Sequence, residues 1–463
     1  MTLIKSISGI RGTIGGKPSE NLTPIDAVKF AASYGTWLSK KNSGAAVKVV
    51  VGRDARISGK MIQELVMNTL VGLGIEVIDL DLSTTPTVEV AVPMEKAHGG
   101  IILTASHNPK QWNALKLLNE KGEFLSGDDG AEILDIAERS DFNFSEVDSL
   151  GSIKQATHYI DTHIEEVVML DLVDAEKVAE ANFTVAVDGV NSTGGIAVPK
   201  LLKRLGVNVI ELYCEPTGHF PHNPEPLKEH LTEICKLVKE RKADLGIVVD
   251  PDVDRLAFIS EDGEMFGEEY TLVACADYVL SKTQGNTVSN LSSSRALRDI
   301  TEKHGGTYKA SAVGEVNVVQ LMKDTNAVIG GEGNGGIIYP ELHYGRDSLV
   351  GIALFLTFLA EKKMKVSEIR KSYPSYFMSK NKIELTPELD VDEILREVEK
   401  KYSQEEITTI DGVKIDFEDH WVHLRKSNTE PIIRIYTEGK SQEKADEVAH
   451  QMISEIKEIA NLP

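Results

Sequence analysis

Cysteine is scarce in this chain of 463 residues. The three cysteines, Cys214, Cys235 and Cys275, are spaced as neither a disulfide framework nor a zinc knuckle. Their number fits a reducing compartment, so we expect a cytoplasmic protein. Residues 1–16 contain no continuous apolar run, which argues against a secretory signal peptide.

Long hydrophobic runs and an excess of positive charge are also missing. The longest apolar stretch, 350–360, is shorter than the roughly 20 residues that cross a bilayer, so it predicts a core helix. Lys and Arg number 50 against 72 Asp and Glu, a formal net charge of −22. Such a chain repels a phosphate backbone, which excludes nucleic acid and anionic membranes as general partners. An anionic ligand would need local cations or a metal.

The composition is that of a folded protein, with 41% hydrophobic and 26% charged residues. Short β-branched runs alternate with longer helix-like stretches, which predicts the α/β class. Polar stretches at 140–151 and 372–381 and an Asp-Gly turn at 261–263 are candidate boundaries. The last segment has about 80 residues, which is an ordinary size for a small domain. It mixes helical and strand patterns and therefore predicts a small α+β domain.

Three aspartates, Asp250, Asp252 and Asp254, follow a predicted strand at 245–249. If the loop is extended, alternate side chains point the same way and the three carboxylates converge. Three negative charges at such short range repel one another unless a cation neutralises them, and oxygen ligands suit Mg²⁺. A solvated acidic turn is the alternative. An EF-hand is rejected because its sixth position is Arg255 rather than glycine.

A small hydroxyl residue, Ser106, lies in the sequence TASHNP directly after a predicted strand at 100–103. Its place beside His107 and a turn-forming Asn-Pro suits a nucleophile, with a helix N-cap serine as the alternative. The Gly-x-Ser-x-Gly elbow of α/β-hydrolases is absent from the sequence. Lys116 could neutralise a phosphate or move protons, or could be an ordinary surface lysine.

A glycine-rich segment, GGEGNGG at 330–336, contains a G-x-G-x-x-G pattern. Residues 337–340 have an extended pattern, so the helix of a dinucleotide-binding turn is missing. The glycines then favour close approach of backbone to a ligand. Glu332 and Asn334 would offer a carboxylate and an amide to sugar hydroxyls. A plain hairpin turn is the alternative.

A basic segment, RKSNTEP at 425–431, stands out in so acidic a chain. Guanidinium, hydroxyl and amide groups beside turn N–H groups make a good phosphate cradle, with a solvated hairpin as the alternative. The candidate phosphate-binding residues are Arg425, Ser427, Asn428, Thr429 and Arg434.

These four motifs, in this order and spacing, resemble the α-D-phosphohexomutase superfamily over essentially the whole chain. TASHNP resembles its phosphoserine loop, DPDVDR its Mg²⁺ loop, GEGNGG its sugar-binding loop and RKSNTEP its phosphate-binding loop. The sequence SGIRG at 8–12 is similar to the family's start and implies that Arg11 is an active-site arginine.

The resemblance implies three related α/β domains with mixed sheets and a smaller C-terminal α+β domain, all around one cleft. We therefore expect four domains: 1–150 with the phosphoserine loop, 151–256 with the Mg²⁺ loop, 257–372 with the sugar-binding loop and 373–463 with the phosphate-binding loop.

The resemblance also implies reversible phosphoryl transfer between the 6- and 1-positions of a hexose phosphate. Ser106 would carry a phosphoryl group at rest, and the sugar would pass through a 1,6-bisphosphate, which also serves as activator. The three aspartates and a phosphoserine oxygen would bind Mg²⁺, which neutralises charge on the transferring group. Arg11, Lys116 and Arg255 would assist. Glu332 would grip the sugar, and the basic segment would hold the phosphate that is not reacting.

One departure from the family concerns the general base. Many members carry Ser and His later in the sugar-binding loop, where this chain has Asn334 and Gly336. The missing histidine is a suggested general base in the family. His343 or Lys116 is the expected substitute.

The form of the sugar-binding loop resembles members that act on glucosamine phosphates and members that act on mannose or glucose phosphates. We expect glucosamine 6-phosphate and 1-phosphate as the substrate pair, with mannose and glucose phosphates as a close alternative. A Mg²⁺-dependent sugar phosphatase and a non-catalytic sugar-phosphate sensor rank lower. A sensor would normally lose the nucleophile or a carboxylate, and a second phosphate cradle favours the mutase over a phosphatase.

Overall fold

The structure is a computed structural model that describes residues 2–6, 9–43, 46–384, 390–426 and 432–460. These residues form four sheets, three of them mixed and the last antiparallel. The predicted fold class is confirmed. Among the helices of the described segments, none is long and apolar enough to cross a membrane.

The first sheet has seven strands in the spatial order β1-β2-β6-β5-β3-β4-β7. Its central strands β4, β3 and β5 are parallel, and the middle of β3 and the whole of β5 are continuous apolar runs. The strands are β1 (Ile4–Ser6), β2 (Gly9–Thr13), β3 (Lys48–Arg53), β4 (Glu76–Leu82), β5 (Gly99–Leu103), β6 (Trp112–Leu118) and β7 (Ile153–Gln155). The helices are α1 (Pro24–Lys41), α2 (Gly59–Gly72), α3 (Thr85–Met94) and α4 (Gly127–Arg139).

The second sheet has four strands in the order β11-β10-β8-β9, with β11 antiparallel to its neighbour. Every residue of β10 and β11 is buried. The strands are β8 (Thr184–Asp188), β9 (Asn208–Leu212), β10 (Leu245–Val249) and β11 (Leu256–Ser260). The helices are α5 (Tyr159–Val168), α6 (Ala175–Ala181), α7 (Gly194–Arg204) and α8 (Thr232–Arg241).

The third sheet has four strands in the order β13-β12-β14-β15, again with one antiparallel edge strand. The strands are β12 (Asn286–Asn290), β13 (Tyr308–Ser311), β14 (Ala327–Glu332) and β15 (Gly336–Ile338). The helices are α9 (Glu268–Lys282), α10 (Arg295–Lys303), α11 (Glu315–Thr325), α12 (Ser348–Lys362) and α13 (Val366–Ser372). The predicted core helix at 350–360 is α12, in which 13 of 15 residues are buried.

The fourth sheet is antiparallel, in the order β16-β20-β19-β18-β17, and packs against two helices. It forms the predicted small α+β unit at the C-terminal end. The strands are β16 (Phe377–Glu384), β17 (Glu406–Thr408), β18 (Val413–Asp416), β19 (Trp421–Lys426) and β20 (Ile432–Gly439). The helices are α14 (Val391–Lys401) and α15 (Gln442–Ile459).

The second and third sheets share one hydrophobic core, whereas the first and fourth have cores of their own. In the shared core, Phe258 of β11 stacks on Phe355 of α12 with ring centroids 4.2 Å apart. Leu256 N also donates to Gly335 O at 3.1 Å. The loops that follow β10 and β14 therefore belong to one packed body, which fixes the aspartate loop against the glycine-rich loop.

Candidate active site

Ser106 lies just beyond β5 in a loop whose backbone carbonyl groups accept hydrogen bonds from Arg56. The Arg56 guanidinium donates to the carbonyl oxygens of Ser106, Asn108, Pro109 and Trp112. Ser106 itself has φ = 49°, a left-handed conformation that is strained for a residue with a side chain. The next regular element is β6, not a helix, so the alternative of a helix N-cap serine is wrong.

The aspartate loop converges through a tight turn rather than through extended backbone. Val253 has φ = 66°, and the backbone N–H groups of Asp254 and Arg255 both donate to Asp250 Oδ1 at 3.1 Å. These bonds pull the chain back onto its first carboxylate. One oxygen from each of Asp250, Asp252 and Asp254 lies within 4.8 Å of the others. The predicted convergence is thus present, although by a different backbone route.

The serine and the aspartate loop meet across the boundary between the first and second sheets. Ser106 Oγ donates to Asp250 Oδ2 at 2.7 Å. Lys116 Nζ, from β6, donates to Asp252 Oδ2 at 2.8 Å and lies 3.4 Å from Asp254 Oδ2. Burial lowers the pKa of Lys116, whereas the two carboxylates raise it. The effect of the carboxylates is the larger, so the pKa of Lys116 lies above its usual range. Lys116 is therefore a protonated ammonium at neutral pH.

The three aspartates have the free oxygens that a cation requires. All three are fully buried, and Asp252 Oδ1 and Asp254 Oδ1 have no hydrogen-bond partner among the described residues. Burial and the two neighbouring carboxylates raise the pKa of Asp250. Buried carboxylate oxygens of like charge that lack hydrogen-bond partners destabilise the fold. A hard divalent cation bound between them would remove that cost. Asp250, Asp252 and Asp254 could hold such a metal.

A cleft lies above this cluster, between the four sheets. It consists of two adjoining cavities of about 560 and 580 Å³, and Ser106 and Lys116 line the second of them. Each of the four sheets with its loops contributes to the walls, so only the complete chain forms the cleft. The cationic side chains that face both cavities are Arg11, Arg255, Arg346 and Arg425.

Glu332 ends β14 and enters the cleft with a fixed side chain. Asn290 Nδ2 donates to Glu332 Oε1 at 2.8 Å, and an Arg346 Nη atom donates to Glu332 Oε2 at 2.6 Å. Asn334 also lines the cleft, and its Oδ1 accepts from Gly336 N at 3.2 Å to close the turn. The carboxylate and the amide expected from the glycine-rich segment therefore both face the same cavity.

Arg346 links the aspartate loop to Glu332, a role that the sequence motifs did not reveal. Its second Nη atom donates to Asp254 Oδ2 at 2.7 Å. A Cβ atom added at Gly336 would lie only 2.3 Å from Arg346 Cδ. The side chain of Arg346 thus fills the space beside Gly336. The signal in the sequence was the glycine, at a position where many members of the resembled family carry histidine.

We expect Gly336→Ala to lower turnover about 100-fold, because the new methyl group displaces a guanidinium that the carboxylates of Asp254, Glu315 and Glu332 hold in place. Arg346→Lys should cause a loss of similar size, since an ammonium cannot make the forked contact. The two effects should not add in the double variant, because both remove the same interaction. Steady-state kinetics of the two single variants and the double variant measure this. Additive losses would contradict the linkage.

The phosphate-binding candidates are described only in part. Arg425 Nε pairs with Asp411, 2.8 Å from the nearer carboxylate oxygen, and Arg434 lines the cleft. Burial and the neighbouring charge of Arg434 lower the pKa of Arg11, so these two guanidinium groups face the same space. Ser427, Asn428 and Thr429 lie outside the described residues.

The two candidate histidines occupy different surroundings. His107 Nδ1 lies 3.4 Å from Ser106 Oγ, and burial together with Arg255 lowers its pKa to about 2, so the imidazole is neutral. His343 Nε2 lies 3.2 Å from Asp347 Oδ2 and does not line either of the two cavities described here. Arg255 reaches Glu225 at 3.3 Å on the cleft wall.

Four domain families match the chain in order. They are the phosphoglucomutase/phosphomannomutase alpha/beta/alpha domains I, II and III and the C-terminal domain, at residues 3–144, 157–263, 267–376 and 382–455. The chain belongs to the phosphoglucomutase/phosphomannomutase family. The resemblance to the α-D-phosphohexomutases is confirmed, and the enzyme is an isomerase that acts as an intramolecular phosphotransferase.

Relatives of this phosphohexomutase carry different substrate names. A phosphoglucomutase/phosphomannomutase of Thermococcus kodakarensis is 36% identical over 94% of this chain and 96% of its own. A phosphoglucosamine/phosphogalactosamine mutase of Sulfurisphaera tokodaii is 33% identical over 97% of both chains. The fold is that of a phosphoglucomutase/phosphomannomutase family protein of Burkholderia thailandensis, with a TM-score of 0.84, 23% identity and coverage of 99% and 98% of the two chains.

Proposed function

We propose that this phosphohexomutase moves a phosphoryl group between the 6- and 1-positions of a hexose phosphate through phosphorylated Ser106. The hydrogen bond from Ser106 Oγ to Asp250 Oδ2 carries this proposal, because it joins a nucleophile to a cluster of three buried carboxylates. The strained φ of Ser106 and the Arg56 contacts hold its hydroxyl at the cleft. Such pre-positioning lowers the barrier of a transfer step.

The proposed metal is Mg²⁺, held by one oxygen from each of Asp250, Asp252 and Asp254 and by a phosphoserine oxygen. When bound, Mg²⁺ neutralises charge that spreads over the transferring group. Lys116 adds a permanent positive charge beside two of these carboxylates. Arg255 and Arg11, on the cleft wall, would meet the oxygens of the incoming phosphate.

The cleft has room for a sugar that turns around between two half-reactions. Ser106 gives its phosphoryl group to the sugar phosphate, and the bisphosphate reverses and returns the other group to Ser106. Arg425, Arg434, Ser427, Asn428 and Thr429 would hold the phosphate that is not reacting. A hexose 1,6-bisphosphate would activate the enzyme by phosphorylating a bare Ser106.

Glucosamine phosphate is the proposed substrate, and the glutamates of one cavity support it. Three glutamates, Glu225, Glu268 and Glu332, line the cavity of about 560 Å³. An amino sugar carries an ammonium at C2 that these carboxylates attract, whereas glucose and mannose carry a neutral hydroxyl there. Mannose and glucose phosphates remain the second candidate, because the relative from Thermococcus kodakarensis bears those names.

A phosphorus NMR experiment tests both the reaction and the sugar. The protein is mixed with Mg²⁺, a trace of hexose bisphosphate and, in parallel tubes, the 1-phosphates of glucosamine, glucose and mannose. We expect 6-phosphate to grow fastest with glucosamine. Fastest growth with mannose or glucose would contradict the substrate assignment alone. Free phosphate as the sole product would indicate a phosphatase, and no change in any tube would indicate a sugar-phosphate sensor.

A further inference from the structure

Phosphoryl transfer to a sugar needs a group that accepts the proton of the attacking hydroxyl. Gly336 cannot supply it, and Arg346, which fills the space beside that glycine, is a permanent cation. One carboxylate contributes to the cavity that contains Ser106 and Lys116 without belonging to any of the four motifs. It is Glu315, the first residue of α11.

We propose that Glu315 is the catalytic residue that takes the proton from the attacking sugar hydroxyl and returns it to the leaving sugar oxygen. The proposal rests on the phosphohexomutase activity proposed above and adds a role to it. No motif singled out this residue, because a single glutamate at a helix start is an ordinary feature of sequences.

Two contacts to one residue orient the Glu315 carboxylate. Arg346 N donates to Glu315 Oε1 at 3.1 Å, and Arg346 Nε lies 3.1 Å from Glu315 Oε2. Each oxygen keeps a second lone pair that can accept a proton. Arg346 thus fixes Glu315, Glu332 and Asp254 relative to one another. Glu315 is therefore a carboxylate of fixed orientation in the wall of the cavity that Ser106 also lines.

The ionisable groups around Glu315 come from five parts of the chain. Burial raises its pKa to about 7, with further contributions from Asp254 and Glu332, while Arg346 and Lys116 act in the opposite direction. Glu89 of α3 is a further buried glutamate whose carboxyl oxygens lack hydrogen-bond partners among the described residues, and burial together with Glu315 raises its pKa. A proton acceptor with a pKa near neutrality is well matched to catalysis at neutral pH.

The other candidates are less suited to the role. Lys116 stays protonated beside two carboxylates, so it has no lone pair to offer. His107 is neutral, but its pKa of about 2 makes it a weak acceptor. His343 lies against Asp347 and Glu89 and lines neither of the two cavities. Glu315 combines access to the cavity with a useful basicity.

The atoms balance over the two half-reactions. In the first, phosphorus bonds to the sugar hydroxyl oxygen as its bond to Ser106 Oγ breaks. The hydroxyl proton passes to Glu315, and the released Ser106 Oγ takes a proton from a water in the cleft, which is left as hydroxide. In the second, Ser106 Oγ attacks the other phosphoryl group and returns its proton to that hydroxide, which restores the water. Protonated Glu315 then gives its proton to the sugar oxygen that leaves.

Glu315→Gln tests the role, because glutamine keeps the shape and removes the basic oxygen. We expect kcat to fall about 10²- to 10⁴-fold with little change in KM. In the wild-type enzyme kcat/KM should rise with pH through about 7 as Glu315 loses its proton, and this limb should vanish in the variant. Asp324→Asn, on the exposed face of the same helix, is the matched control and should behave as wild type.

Chemical rescue separates a catalytic role from a structural one. In Glu315→Ala, added formate should restore part of the lost turnover, because it can enter the vacated space and accept the proton. Glu315→Gln with near-wild-type turnover, or loss of the acidic limb in His343→Gln but not in Glu315→Gln, would overturn the proposal. A wild-type enzyme that fails to isomerise any hexose phosphate would instead overturn the proposed function, so the two failures are distinguishable.

Discussion

Replacing Ser106 by alanine is expected to lower mutase turnover on the order of 10⁴-fold or more, because a nucleophile that forms a covalent intermediate has no substitute. Its hydroxyl is the group that reaches Asp250 Oδ2 at 2.7 Å. Substrate binding should change little, since the cationic side chains that face the sugar phosphate lie elsewhere on the cleft walls. Coupled kinetics give the turnover, and calorimetric titration with the sugar phosphate gives the affinity.

Mass spectrometry of the Ser106→Ala variant adds an independent check. Wild-type protein incubated with hexose bisphosphate should gain one phosphoryl group on the peptide that contains Ser106, and the variant should gain none. Ser454→Ala, at an exposed position of α15, serves as the control and should be phosphorylated at Ser106 as wild type is. Turnover within tenfold of wild type in the Ser106 variant would exclude the serine as nucleophile.

The second large effect is expected from the aspartate loop. Asp252→Asn should lower turnover about 10³-fold, because several kcal/mol of charge stabilisation in the transition state depend on the metal that this loop holds. The same change removes the anionic partner of Lys116, 2.8 Å away. Chelation by EDTA should abolish wild-type activity, and added Mg²⁺ should restore it. The variant should need a higher Mg²⁺ concentration for half-maximal activity.

Asp262→Asn is the matched control for the aspartate loop. Asp262 lies ten residues further along the chain, exposed in the turn after β11, so its amide should leave both turnover and Mg²⁺ dependence unchanged. Activity that persists unchanged in EDTA, or an Asp252 variant with wild-type Mg²⁺ dependence, would show that the three carboxylates serve another purpose.

The regular elements near the site were predictable because their signals are local. The strand predicted at 245–249 is β10, and the core helix predicted at 350–360 is α12. Buried strands are continuous apolar runs, and a buried helix is apolar on every side, so neither depends on distant residues for its pattern. The reactive residues could be found for a similar reason, since Asp250 directly follows one such strand and Ser106 lies three residues beyond the end of another.

The backbone of the aspartate loop was predicted less well. An extended loop would also have converged the three carboxylates, and the sequence offered no sign against it. The turn arises because the N–H groups of Asp254 and Arg255 find Asp250 Oδ1, and because Val253 adopts positive φ. A valine at positive φ is unfavourable by itself, so the surrounding packing imposes it.

The sequence by itself determined the α/β class, the small C-terminal unit and the residues with reactive chemistry, because apolar periodicity and short motifs are properties of neighbouring residues. Only the tertiary structure decided which charges meet. Arg346 reaches Asp254 across 92 positions of sequence, and it orients Glu315 and Glu332 as well. Such pairings depend on how the second and third sheets pack into one core. Burial then shifts the pKa of each group. Neither the long-range pairings nor the burial of a group can be read from a local sequence pattern.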